Sequence, residues 1–78
     1  MNINAAVLNS LTDYERMILY YLEGKGFVSP TQIGKYLHPT QMYGSPWASP
    51  KCLHLVELGL LERNSRGHYA LKEEVSHE

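Results

Sequence analysis

The stretch Ser49-Pro50-Lys51-Cys52-Leu53-His54-Leu55-Val56-Glu57-Leu58-Gly59 leaves little choice of local structure. Proline has no backbone N–H, so a helix tolerates it best at the first position, where that N–H would lack a partner anyway. Glycine enters left-handed backbone at no steric cost and commonly ends helices. Ser49 as cap, Pro50 as first helical residue and Gly59 as stop therefore predict a short helix with fixed ends. Cys52, Leu55, Val56 and Leu58 recur at three- and four-residue steps and make one side apolar, with Lys51 and His54 on the other. A start at Ser45 would put Pro50 inside the helix, without a needed N–H and against the turn behind it. The helix is therefore placed from Ser49. Residues 38–48 become a long connection containing Gln41, Tyr43 and Trp47.

The elements before it are marked by caps. Thr12 with Glu15 is a capping box, and Asp13 adds negative charge at the positive end of the helix dipole. Tyr14, Met17, Ile18, Tyr21 and Leu22 then follow a helical period, broadened by Leu19 and Tyr20, until Gly24-Lys25-Gly26. Phe27-Val28 is long enough for one edge pairing in a small sheet. Ser29-Pro30-Thr31-Gln32 is a second capping box opening a helix over 30–37, with Ile33 and Leu37 inward. Gly34 weakens that helix by about 1 kcal/mol relative to alanine, a cost that close packing against a neighbouring helix would explain.

After Gly59, two strand-like runs flank Asn64-Ser65-Arg66-Gly67, which predicts a hairpin. Tyr69 and Leu71 alternate with His68, Ala70 and Lys72, and Leu61 pairs on the inner face. The expected fold class is α+β, with three helices packed on a small sheet. Residues 11–72 form the domain, 1–10 an N-terminal extension and 73–78 an acidic tail. The extension has no clear period. Its residues Ala5, Ala6, Val7 and Leu8 suit a short helical turn, loose packing on the domain or docking on a second subunit, and apolar residues 3–8 with the small core make a homodimer one of the expectations.

Charge narrows the partners. The 78 residues carry a net charge of −1, unevenly placed. Lys35, Lys51, Arg63, Arg66 and Lys72 against Glu57 and Glu62 leave residues 28–72 at +3. A single cysteine excludes an internal disulfide, and no run is long and apolar enough for a membrane span, so an intracellular, cytoplasmic protein is expected. His38, Cys52, His54 and His68 fit no paired metal-ligand spacing, and no phosphate loop or nucleophile–base motif is present. No metal, no cofactor and no enzymatic activity are expected.

The order of elements, with Ala48-x3-Cys52-x2-Leu55-x2-Leu58-Gly59-Leu60-Leu61-x-Arg63 and Gly67-x-Tyr69-x-Leu71, resembles the winged helix-turn-helix family of DNA-binding transcription regulators. The resemblance covers about residues 11–72. It implies a three-helix domain whose third helix enters the major groove of double-stranded DNA and whose hairpin, the wing, touches the flanking backbone. Carried over, Ser49, Lys51 and His54 lie on the groove side, and Arg63 and Arg66 stand at the base and tip of the wing. Lys35, Ser29 and Thr31 serve phosphate from the second helix. Two features depart from the family: the long 38–48 connection, with Gln41, Tyr43 and Trp47 as loop contacts, and a third helix without arginine. The alternative is a winged helix used for protein contact, which suits Met42, Tyr43, Trp47 and the low net charge.

Overall fold

The computed structural model describes residues 5–40 and 42–72. It is α+β: α1 (Ala5–Ser10), α2 (Asp13–Leu22), α3 (Pro30–Leu37), α4 (Ser45–Glu57), β1 (Leu61–Arg63) and β2 (Tyr69–Leu71). Among the described residues the helices number four, where three were expected. The extra helix is α1, formed by residues that show no clear period. It is held from outside: Arg16 Nη1 donates to the carbonyls of Leu8 at 3.1 Å and Leu11 at 2.8 Å, satisfying acceptors at and just beyond its end. Val7 and Leu8 pack against the core, so part of the extension's apolar surface is covered within the chain itself.

The Thr12 capping box is present in both directions. Glu15 N–H donates to Thr12 Oγ1 at 3.2 Å, and Thr12 N–H donates to Glu15 Oε1 at 2.9 Å. The second box is only half formed: Ser29 Oγ accepts from Gln32 N–H at 3.2 Å, with no return bond from the Gln32 side chain. On α2 the buried stripe is Ile18, Leu19 and Leu22, while Tyr14 and Tyr20 are exposed and Met17 and Tyr21 are half-buried. Leu19 is inside because α3, α4 and β2 all pack on α2.

The third predicted helix begins earlier than the local rule allows. α4 starts at Ser45, and Pro50 lies inside it, so Ser49 is a helical residue and not a cap. The connection shrinks to 38–44. Tertiary packing outweighs the proline penalty. Ala48, Cys52 and Leu55 are completely buried on one continuous stripe that runs past Pro50, and α3 and α4 share the most extensive contact in the domain. That contact depends on two glycines. A Cβ on Gly34 would lie 1.8 Å from the Gly44 carbonyl oxygen, and one on Gly44 would lie 2.4 Å from that of Thr31. Only hydrogen fits at either place.

α4 ends as expected. Gly59 has φ +81°; its N–H donates to the Val56 carbonyl at 2.9 Å and Leu60 N–H to that of Leu55 at 3.0 Å, the paired bonds of a Schellman motif. Leu58 and Val56 are less buried than the apolar spacing implies, because the earlier start centres the stripe on Ala48, Cys52 and Leu55. The strands pair antiparallel with Leu61 opposite Leu71 and Arg63 opposite Tyr69. Val28 adds the expected edge pairing, exchanging two 2.9 Å backbone bonds with Tyr69. Ala70, expected on the outer face, is buried along with Tyr69 and Leu71.

Candidate nucleic-acid interface

The residues expected to touch DNA fall into three places. The first is α3. Ser29 caps it through its hydroxyl, and Thr31 and Lys35 are exposed along one open groove with Tyr21, Gln32 and Tyr36. The Tyr21 and Tyr36 rings stack at 4.3 Å between centroids, and Lys25 Nζ lies 4.5 Å from the Tyr21 ring centre. Lys35 of α3 thus lines the same groove as a stacked pair made of Tyr21 from α2 and Tyr36 from α3.

The second place is the hairpin. Asn64 Oδ1 accepts from the backbone N–H groups of Arg66 and His68, each at 3.0 Å, and Gly67 N–H donates to the Asn64 carbonyl at 3.0 Å. These bonds fix the turn and hold Arg66 at its tip, exposed. Arg63 is also exposed, and its guanidinium lies across Gly67, where an added Cβ would meet it at 3.1 Å. The two arginines thus share one end of the hairpin.

The third place is α4, where the helix phase decides which side chains are available. Lys51 and His54 lie on the flank turned toward α2. Lys51 Nζ donates to the Trp47 carbonyl at 3.0 Å and sits 5.5 Å from the Tyr14 ring centre. His54 Nδ1 meets Glu15 Oε2 at 2.5 Å. Ser49 is half-buried on the opposite flank. The solvent side is a different set: Pro46, Pro50, Leu53 and Glu57, all exposed. A helix turns about 100° per residue, so these four fall in one narrow stripe opposite Ala48, Cys52 and Leu55. Sequence reasoning missed this stripe because it began the helix at Ser49. Once the helix starts at Ser45, the four positions recur at three- and four-residue steps.

Of the loop residues, Gln41 lies outside the described residues. Among the described residues, Tyr43 and its neighbour Met42 are the most exposed large apolar side chains, at 73% and 77%. Trp47 belongs to α4 and packs on the domain: its ring lies 4.2 Å from that of His38, which in turn lies 4.9 Å from Tyr14. His38 Nε2 is buried in this sandwich and has no hydrogen-bond partner among the described residues.

Glu15 joins the fold to the site. It is the one charged side chain buried among the described residues, and it bonds Thr12 N–H through one oxygen and His54 through the other. Burial pushes its carboxyl up. The Thr12 backbone N–H and the hydrogen bond and charge of His54 outweigh that, so its pKa sits below the ordinary 4.5. A carboxyl depressed in the folded state stabilises the fold above its ordinary pKa, and that contribution is lost as pH falls through the folded value. Stability is expected to decline as pH drops below about 4.5, and Glu15→Gln is expected to flatten this decline. Urea melts at pH 3 to 6 on both proteins check it.

Cys52 is a poor ligand or nucleophile. Burial pushes its thiol up to about 12, against the opposing charge of Lys51, so it stays protonated at neutral pH. Among the described residues, no group of three or more His, Cys, Asp or Glu side chains is placed to hold a metal ion, and no helix is long and apolar enough to cross a membrane.

No protein-family model, no curated protein and no solved structure matches this chain.

Proposed function

We propose that the chain is a small winged-helix protein that binds double-stranded DNA, with α4 in the major groove and the β1–β2 hairpin on the flanking backbone. One observation carries this reading. The outer face of α4 is uncovered, and the elements packed against α4 carry exposed cations, Lys35 on α3 and Arg63 with Arg66 at the hairpin end. Lysine and arginine there would neutralise phosphates and release counterions, which supplies affinity whatever the sequence. Lys51 Nζ donates to the Trp47 carbonyl and His54 Nδ1 meets Glu15, so swinging either of these atoms onto a base would break a contact inside the domain. With no arginine on α4, discrimination among guanine-containing sites is weak.

A second reading has its own observation. Met42 and Tyr43 stand exposed just before α4, and the outer stripe of α4 is mostly apolar, both of which suit a protein partner. Amide chemical-shift mapping separates the two. Adding a 20-base-pair duplex at low salt to the labelled protein is expected to move the amides of Ser45, Ser49 and Leu53 together with those from Arg63 to Gly67, and to leave Gly24 to Phe27 in place. Amides of α4 and the hairpin that stay unmoved at saturating duplex would reject DNA binding in favour of protein contact.

A further inference from the structure

We propose that Tyr21 and Tyr36 form a modification site: a one-electron oxidant couples them through a carbon–carbon bond into a dityrosine that staples α3 to α2. The two phenols already meet. Tyr21 lies on α2 and Tyr36 on α3, and their rings stack with centroids 4.3 Å apart and planes 21° from parallel. Aromatic pairs usually meet at about 4.5–7 Å, so this stack is tight, and ring carbons of one phenol lie in van der Waals contact with the other. No other two tyrosine rings meet among the described residues. Tyr14 packs on His38, Tyr69 is buried, and Tyr20 and Tyr43 are exposed with no tyrosine ring against them. Tyr36 is 42% exposed, so an oxidant reaches it. The open groove of about 520 Å³ beside the pair leaves room for the rings to turn from face to face to edge to edge as the bond forms.

The oxidant is hydrogen peroxide acting through a haem peroxidase. One peroxide takes one electron and the hydroxyl proton from each phenol and leaves as two waters. Lys25 Nζ stands 4.5 Å from the Tyr21 ring centre and disfavours a positively charged ring, so the electron leaves with its proton and the radicals that meet are neutral. Each radical places unpaired spin on the ring carbons flanking its oxygen. One such carbon of Tyr21 bonds to one of Tyr36. Each bonded carbon then gives up its hydrogen to restore the ring, and each oxygen regains one. The net change is two hydrogen atoms lost and one carbon–carbon bond gained. The bond closes residues 22–35 in a loop, so the unfolded chain loses entropy by the same argument that applies to a disulfide.

The test oxidises the folded protein with a haem peroxidase and hydrogen peroxide, then separates monomer from covalent dimer. Dityrosine fluorescence and peptide mass spectrometry are read on each. At about 10 µM protein, two phenols held in contact at an effective concentration of at least about 1 mM should couple within the molecule at least about 100-fold faster than between molecules. The monomer is expected to lose the mass of two hydrogen atoms and to carry Tyr21 and Tyr36 in one cross-linked peptide. Tyr21→Phe and Tyr36→Phe each keep a ring and remove the phenol, and either should abolish the monomer's dityrosine signal. Tyr43→Phe should leave that signal unchanged. The cross-linked monomer should melt at least about 5 °C above the untreated protein. Dityrosine confined to covalent dimers, or a monomer signal that survives Tyr36→Phe, would overturn the site. An unchanged melting temperature in the cross-linked monomer would overturn the staple while leaving the bond in place.

Discussion

Gly34→Ala is expected to destabilise the domain by at least about 3 kcal/mol, although helix propensity alone assigns it a gain of about 1 kcal/mol. The two effects have opposite signs, so the outcome is decisive. The new methyl would lie 1.8 Å from the Gly44 carbonyl oxygen, 2.3 Å from its carbon and 2.7 Å from its Cα. All three are backbone atoms, and no rotamer change moves them aside. The start of α4 would have to back away from α3, loosening Ile33 and Leu37 against Ala48 and Cys52. In a domain of this size each kcal/mol shifts Tm by about 4–8 °C, so the midpoint should fall by more than about 12 °C. Gly44→Ala should act in the same direction, and the double variant should cost less than the two single costs combined, because both break one contact. Thermal melts followed by circular dichroism check this. A Gly34→Ala protein as stable as the parent would mean that α3 and α4 do not meet backbone to backbone.

The features legible in the sequence are those that physics settles within a few residues. Thr12 and Glu15 close their box across one turn, Gly59 ends α4 by its own backbone freedom, and Gly67 with Asn64 builds the hairpin turn. Gly34 was legible as a contact point, though its partner Gly44 was not. What the sequence hid depends on distant residues. Pro50 sits mid-helix because Ala48, Cys52 and Leu55 need one unbroken stripe against the core. α1 forms where no period announces it, because Arg16 reaches back to Leu8 and Leu11. His54 is drawn to a carboxylate 39 residues away.

The same division holds in the candidate site. Arg63 and Arg66 were legible because a hairpin tip is exposed wherever the hairpin docks. The helix face was not, because an offset in where α4 begins changes which residues point outward. Lys51 and His54 look like the polar face of a helix starting at Ser49. In the folded domain they line its contact with α2, and prolines and a leucine take the outer position.

Duplex binding should fall steeply with salt, which follows from where the exposed cations lie. If Lys35, Arg63 and Arg66 each neutralise one phosphate, log affinity falls against log salt with a slope of about −2.7, so raising salt from 50 to 200 mM weakens binding by about 40-fold. Arg66→Ala removes one contact, lowering affinity at 50 mM and reducing the slope by about 0.9. Arg63→Ala should do the same, while Lys51→Ala should leave the slope unchanged, since Lys51 is held by Trp47 and Tyr14. The most direct measurement is therefore a salt titration of duplex affinity for the parent protein beside Arg66→Ala, Arg63→Ala and Lys51→Ala. A slope near −2.7 that drops by about one for each arginine variant and is unchanged for the lysine variant is the predicted result. Binding absent at 50 mM salt, or a slope that no arginine variant alters, would contradict it.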